Sequence, residues 1–207
     1  MSLANYDDLV KSIVSWSHRK DINTLIPDFI LLAETEIYNN ELWQLEIRDM
    51  ETISTAAVSG RYLELPPGFE KARSVQLETG GGLVDVRFQA PEQLVRQSTT
   101  GQPRFFSVIG NEIEFDRVPD SAYDIQIQYY KKPNSLTEEN QTNSVMTNHP
   151  NIYLFGALHQ LFLYSEDDGE AMKYLAKMQS VIRGANKAAK KGRYGPAPYM
   201  TVEGRTP

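Results

Sequence analysis

Apolar positions along this chain change their period twice. Up to about residue 49 they recur at helical spacing, from 50 to 132 they mostly alternate, and from 149 to 191 the helical spacing returns. Tyr6, Leu9, Val10, Ile13 and then Trp16 or Ser17 fall on one face of a first helix. Asn5 stands where a cap is needed, and Asp7 and Asp8 sit in the first turn. A second helix is predicted from about Pro27, with Ile26, Ile30, Ala33 and Ile37 in one buried stripe and Glu34, Glu41 and Glu46 mostly off it. Pro150 restarts helix after a cap at Asn148 or His149, in a segment apolar almost all round, as in a helix buried against several neighbours. Ser165 to Asp168 interrupt it. Ala171, Leu175, Met178, Ile182, Ala185 and Ala189 then follow near heptad spacing, with Lys173, Lys177, Arg183 and Lys187 elsewhere on the wheel.

Between these helices the period is two. Thr52 to Val58 and Arg61 to Leu65 flank a Ser59-Gly60 turn and predict a hairpin. Val75 and Leu77 precede Gly80, Gly81 and Gly82, with Val84, Val86 and Phe88 after them, which predicts a second hairpin with a glycine tip. Pro91 to Gln97 predicts a short helix. Phe106 and Val108 alternate before Gly110-Asn111, Ile113 and Phe115 after it. Beyond the Pro119-Asp120 turn, Tyr123, Ile125, Ile127 and Tyr129 share one face of a strand. The polar stretch 133–148 reads as a loop, and 192–207 as an extended, partner-dependent tail without periodicity. The expected fold class is α+β. N- and C-terminal helices (1–49 and 149–191) form a helical bundle with an inserted antiparallel β lobe (50–132), and an extended C-terminal tail follows.

Composition narrows the function classes. Over 207 residues, a hydrophobic fraction of 41% with 23% charged residues suits a soluble globular protein. There is no cysteine, which excludes disulfides and thiolate metal sites. The opening MSLANYDDLV carries acids where a signal peptide needs basic residues, so the chain is expected to be unexported. The most apolar run, Ile152 to Tyr164, is too short to span a membrane and contains His159 and Gln160. A net charge of −6 argues against a dedicated nucleic-acid binder.

Candidate chemistry is sparse. Glu34 and Glu36 are two apart on a helix, hence on different faces, which suits a solvated surface better than acid/base work. His18, His149 and His159 form no metal-ligand spacing; His149 reads as a cap and His159 as a helix-surface or interface residue. Gly80, Gly81 and Gly82 lack the Lys-Ser/Thr pair of a phosphate loop and read as a hairpin tip able to touch a partner. Trp16 and Trp43 read as core residues on helices. Lys187, Lys190, Lys191 and Arg193 have two readings, a helix C-terminus complementing its dipole, or a basic patch that docks on an acidic partner. Tyr194, Pro196, Pro198, Tyr199 and Met200 follow directly and are typical of residues buried only in an interface. The expectation is no enzyme, with no catalytic, cofactor-binding or metal residue.

The segments GQPRFFSVIGNEIEF, PDSAYDIQIQYY, HPNIYLFGAL, IPDFILLAETEI and LPPGFEKAR, in this order of weight, resemble the head-to-tail adaptor (connector) proteins of tailed bacteriophages, short-tailed ones in particular. The resemblance implies a structural virion protein of the neck, found in the host cytoplasm during assembly. It would form a ring of about a dozen copies below the portal through heterologous contacts that close. The implied partners are the portal protein, the next tail component (nozzle or tail fibre proteins), further copies of the chain, and DNA that passes without sequence-specific binding; no membrane is involved. Twelve copies at −6 each sum to about −72, which would let DNA slide without sticking. On this chain the tail with its basic run, Lys187 to Met200, becomes the candidate surface for portal and neighbouring copies. The β lobe around Gly80 to Gly82, Pro119 and Asp120 becomes the candidate for ring or tail contacts. The alternatives are a head-completion or tail-terminator protein and, in another class, a small hydrolase or a nucleic-acid-binding regulator.

Overall fold

Helix α4 (Pro150–Tyr164) organises the first of two units, because its sequence leaves no polar face to turn toward water. It packs against α1 (Tyr6–Ser17), α2 (Ile26–Asn39), α3 (Ser144–Asn148) and α5 (Asp168–Tyr194). The computed structural model describes residues 3–19, 21–40, 42, 44–47 and 50–194. Contacts divide the chain into a helical unit, 1–49 with 134–207, and a β unit, 50–133. Both strands and helices are present in quantity, so the fold is α+β.

The helix starts follow from local chemistry. The Asn5 side chain accepts from the Asp8 N–H at 2.9 Å, and Pro27 occupies the first turn of α2, after a 3₁₀ turn at Asn23–Leu25. The predicted α2 stripe of Ile26, Ile30, Ala33 and Ile37 is fully buried, each large side chain stabilising by about 1.5–3 kcal/mol. Three readings need correction here. Glu34 is buried, not solvated. Trp16 is 40% exposed, its ring 6.1 Å from that of Phe155, while Ser17 takes the buried position. On α5, Tyr174 is buried and Leu175 is only half-buried, so the stripe runs Ala171, Tyr174, Met178, Ile182, Ala185. Glu41 and Trp43 lie outside the described residues.

The stretch 133–148 is not loop throughout. Asn143 caps α3, its Oδ1 accepting from the Met146 N–H at 2.8 Å, so the last five residues are helical. Helix α5 likewise continues through Gly192 and Arg193 to Tyr194, three residues into the stretch read as extended tail. A single glycine costs a helix only about 1 kcal/mol, and the preceding turns carry it.

In the β unit seven strands form one mixed sheet: β1 (Glu51–Val58), β2 (Tyr62–Glu64), β3 (Phe69–Thr79), β4 (Gly82–Phe88), β5 (Phe105–Ile109), β6 (Glu112–Phe115) and β7 (Tyr123–Lys131). Their spatial order is β1-β7-β3-β4-β5-β6-β2. The β3–β4 hairpin and the β5–β6 hairpin with its Gly110-Asn111 turn form as read, Gly110 at φ +61 supplying the left-handed conformation that the two-residue turn needs. Pairing elsewhere departs from local expectation. β1 and β2 do not pair with each other: β1 lies along β7, from Glu51 opposite Tyr130 to Val58 opposite Tyr123, while β2 lies along β6. β4 and β5 pair in parallel, so the lobe is not purely antiparallel. Pro91 to Gln97 forms turns and no helix.

Alternation places Val75, Leu77, Ile125, Ile127 and Tyr129 in a core shared with Val58, Val86, Phe106, Ile113 and Phe115. Asp116 fixes the connection beside it. Its Oδ1 accepts from the N–H groups of Arg104 (3.0 Å) and Phe105 (3.2 Å), and its Oδ2 from Arg117 Nε at 2.9 Å. Asp116→Ala should lower the stability of the β unit by about 3 kcal/mol, since buried donors lose a charged acceptor. The measurement is a shift in urea midpoint. A variant within 0.5 kcal/mol, roughly the scatter of surface substitutions, would deny Asp116 that role.

Candidate functional site

The predicted basic surface lies on the last turns of α5. At 1.5 Å per residue this 27-residue helix extends about 40 Å. Lys187, Lys190 and Lys191 are exposed and spaced i, i+3 and i+4, hence on one face. None has an ion pair with another described residue. Their charges favour the negative end of the helix dipole whichever reading holds. Arg193 and Tyr194 continue the helical backbone, and Pro196, Pro198, Tyr199 and Met200 lie outside the described residues.

The second predicted surface, on the β unit, is mixed. Gly80 and Gly81 form the two-residue tip between β3 and β4, and Gly82 opens β4 at φ +117; all three are exposed. A Cβ added at any of them would meet nothing within 4 Å. Of the Pro119-Asp120 pair, Pro119 is buried and Asp120 is exposed, its carboxylate accepting from the Tyr123 hydroxyl at 2.6 Å. Only Asp120 therefore offers a polar surface there. Leu83 and Val84 beside the tip are exposed and apolar; the sequence marked Val84 only as part of the strand, since an alternating strand gives no sign of which face lacks a cover.

The carboxylates considered for catalysis do other things. Glu34 is 2% exposed, and its Oε1 accepts from the Leu136 N–H at 2.9 Å. The Tyr38 and Tyr153 hydroxyls lie 2.7 Å apart, and Asn143 Nδ2 donates to Tyr153 at 2.8 Å and to the Asn134 carbonyl at 2.9 Å. Tyr153 in turn hydrogen-bonds Glu34. This closed network ties the 134–143 segment to α2 and α4. Glu36 points elsewhere, accepting from Gln160 Nε2 at 2.9 Å and lying 3.8 Å from His159 Nε2. His159 is buried, contrary to the surface reading, with Nδ1 2.9 Å from the Ala171 carbonyl oxygen. His149 serves as the junction cap between α3 and α4. Among the described residues no group of three His, Asp or Glu side chains could hold a metal ion, and no helix is long and apolar enough to cross a membrane.

Burial pushes the Tyr38 and Tyr153 phenols above their ordinary value near 10, helped by each other's proximity at Tyr38 and by the Glu34 charge. With folded values raised, their contribution to stability is complete below about pH 10 and falls as pH rises further, because the unfolded chain ionises first. Each such group adds a slope of about 1.4 kcal/mol per pH unit in that range. Tyr38→Phe should flatten the alkaline loss of stability, measured by denaturant unfolding between about pH 9 and 11. Equal slopes for the two proteins would show that Tyr38 is not held neutral.

The family model described as SU10 adaptor protein matches residues 4–199. No curated protein matches the chain.

Proposed function

Since the chain belongs to the SU10 adaptor protein family, we propose that it works as a structural adaptor in the neck of a tailed phage, a ring of about a dozen copies beneath the portal joined by heterologous contacts. The observation that carries the reading is the family match over nearly the whole chain, in agreement with the resemblance of the quoted segments to head-to-tail adaptors. The helical unit acts as a bundle whose basic end, Lys187 to Arg193, together with Tyr194, Pro196, Pro198, Tyr199 and Met200, meets the portal and adjacent copies. The tip at Gly80 to Gly82 and Asp120 serve contacts within the ring or with the next tail component. Part of the acidic surplus lines the channel, so that ejected DNA is repelled from the wall rather than bound. The role is mechanical, without catalysis.

Acidic subunits repel one another, so the free chain is expected to be monomeric or weakly associated, with the portal holding copies at high local concentration. Light scattering and electron microscopy with purified portal rings test this. The expected result is a ring of about a dozen copies on the portal and little assembly without it, with modestly more self-association at high salt. Binding to tail ends instead of portal rings would favour a head-completion or tail-terminator role. Closed rings without portal would overturn the template step alone.

A further inference from the structure

The sheet of the β unit forks. β3 and β4 pair from Val75 opposite Val86 to Thr79 opposite Gly82 and no further. Beyond Val86, β4 turns to β5: the Arg87 N–H donates to the Arg104 carbonyl at 2.9 Å and the Gln89 N–H to the Phe106 carbonyl at 2.8 Å. The first half of β3, Phe69 to Ser74, pairs along one side with β7, and neither β4 nor another described strand runs along its other side. Between the prongs lies a groove of about 390 Å³. Phe69, Val75, Val86, Phe88, Phe106 and Val108 give it an apolar lining. Phe88 is 61% exposed at its mouth, its ring set edge-on to Phe106 at 5.6 Å. An apolar floor beside an unaccompanied strand edge is the arrangement that accepts an added strand: main-chain hydrogen bonds on the edge, alternate side chains in the groove.

The chain itself carries a segment that fits. Thirteen residues, 195–207, follow the end of α5. Within them Tyr199-Met200-Thr201-Val202-Glu203 is a run rich in strand formers, bounded by Pro198 and Gly204. Its five residues are close in length to the six of Phe69–Ser74, whose pairing with β7 shifts register between Phe69 and Lys71 and between Ala72 and Ser74. With period two, Met200 and Val202 would share one face, and Tyr199, Thr201 and Glu203 the other. Met and Val are side chains that an apolar groove of this size can take, Met adapting to its irregular walls.

Resting on the adaptor reading above, in which copies meet through unlike surfaces, we infer that Tyr199–Glu203 of one copy adds as a strand to β3 of the next copy at Phe69–Ser74, seating Met200 and Val202 in the groove. This gives the heterologous contact a strap and a socket on different parts of the same chain. The five residues from Tyr194 to Tyr199 limit the distance from helix end to the neighbour's groove to about 17 Å.

The absence of cysteine from the chain makes a clean test possible. One full-length variant carries Ala72→Cys in the groove, and a second carries Met200→Cys or Val202→Cys. The two are mixed, assembled on portal rings and oxidised. A control pair uses Glu139→Cys, on the exposed surface of the helical unit, in place of Ala72→Cys. The expected result is a disulfide-linked dimer of the two variants that approaches half of the chains, the limit for an equal random mixture, and at least tenfold above the control pair. Rings that assemble normally without this cross-link would overturn the strap and leave the adaptor reading standing. Cross-linking within single chains of an Ala72→Cys/Val202→Cys double variant, with none between chains, would overturn the neighbour as its source. Failure of the unsubstituted chain to form rings on the portal would remove the adaptor reading and the inference together.

Discussion

Gly156→Leu is expected to unfold the helical unit. Gly156 sits in α4 where α2 and α5 both approach: a Cβ there would lie 2.9 Å from the Ala33 Cβ and 2.9 Å from the Met178 Sδ. Met178 can swing aside, but the Ala33 Cβ is fixed to the backbone of α2. Even Gly156→Ala, which gains about 1 kcal/mol of helix propensity, should lose net stability, because overpacking at a closed interface costs about 1–3 kcal/mol. Leu at this position exceeds what the interface can absorb, and the loss should pass about 4 kcal/mol, the range reserved for core disruption. Thermal unfolding by circular dichroism measures it. Ala33→Gly added to Gly156→Ala should recover part of the loss, which separates a clash with α2 from any general effect on α4. A Gly156→Leu protein with unchanged melting would mean that α2 and α4 are farther apart than described.

Ending the chain after Tyr194 should have the opposite profile, with nearly unchanged melting and loss of the portal-bound ring. The cut leaves α5 whole, which removal from Gly192 would not. Without the last thirteen residues, Pro196, Pro198, Tyr199 and Met200 are gone while Lys187, Lys190 and Lys191 remain. Residues without core periodicity contribute little to folding. Interfaces, by contrast, concentrate their energy in a few aromatic and apolar anchors, so portal attachment should fall at least tenfold in a sedimentation assay. Normal attachment would move the docking surface off the C-terminal segment. The two variants together divide the chain into residues that build the subunit and residues that join it to others.

Helices and hairpins were legible in the sequence where the deciding contacts are local. The α2 stripe, the Asn5 cap and the Gly110-Asn111 turn depend on neighbours within about one helical turn or one loop. What the sequence hid depends on partners far along the chain. Glu34 looked solvated because its acceptor role is set by Leu136, 102 residues away, and by Tyr153. Ser59-Gly60 is a sound turn signal, yet β1 finds its partner in β7, where Ala56 lies opposite Ile125 and Val58 opposite Tyr123. The parallel β4–β5 step has no period of its own to announce it. For the candidate surfaces the sequence marked the Lys187–Lys191 stripe and the glycine tip. It could not tell Pro119 from Asp120 in exposure, nor see the groove, which exists only because two strands part.

The place of β7 between β1 and β3 bears on how this protein is made. Residues leave the ribosome in order, so β1 and β3 both emerge before the strand that must separate and join them. After Val58 the ribosome adds 73 residues to complete Lys131, about 4–15 s of synthesis at ordinary rates of 5–20 residues per second. For that interval β1, which has a single charged residue in eight, waits without its partner. α2 waits longer, until α4 is complete. Slow translation should therefore raise the exposure of nascent chains to misassociation, and crowding many of them on one messenger should raise it again. A structural adaptor made in this order thus depends on its host's chaperones most during the seconds before Tyr123–Lys131 appears.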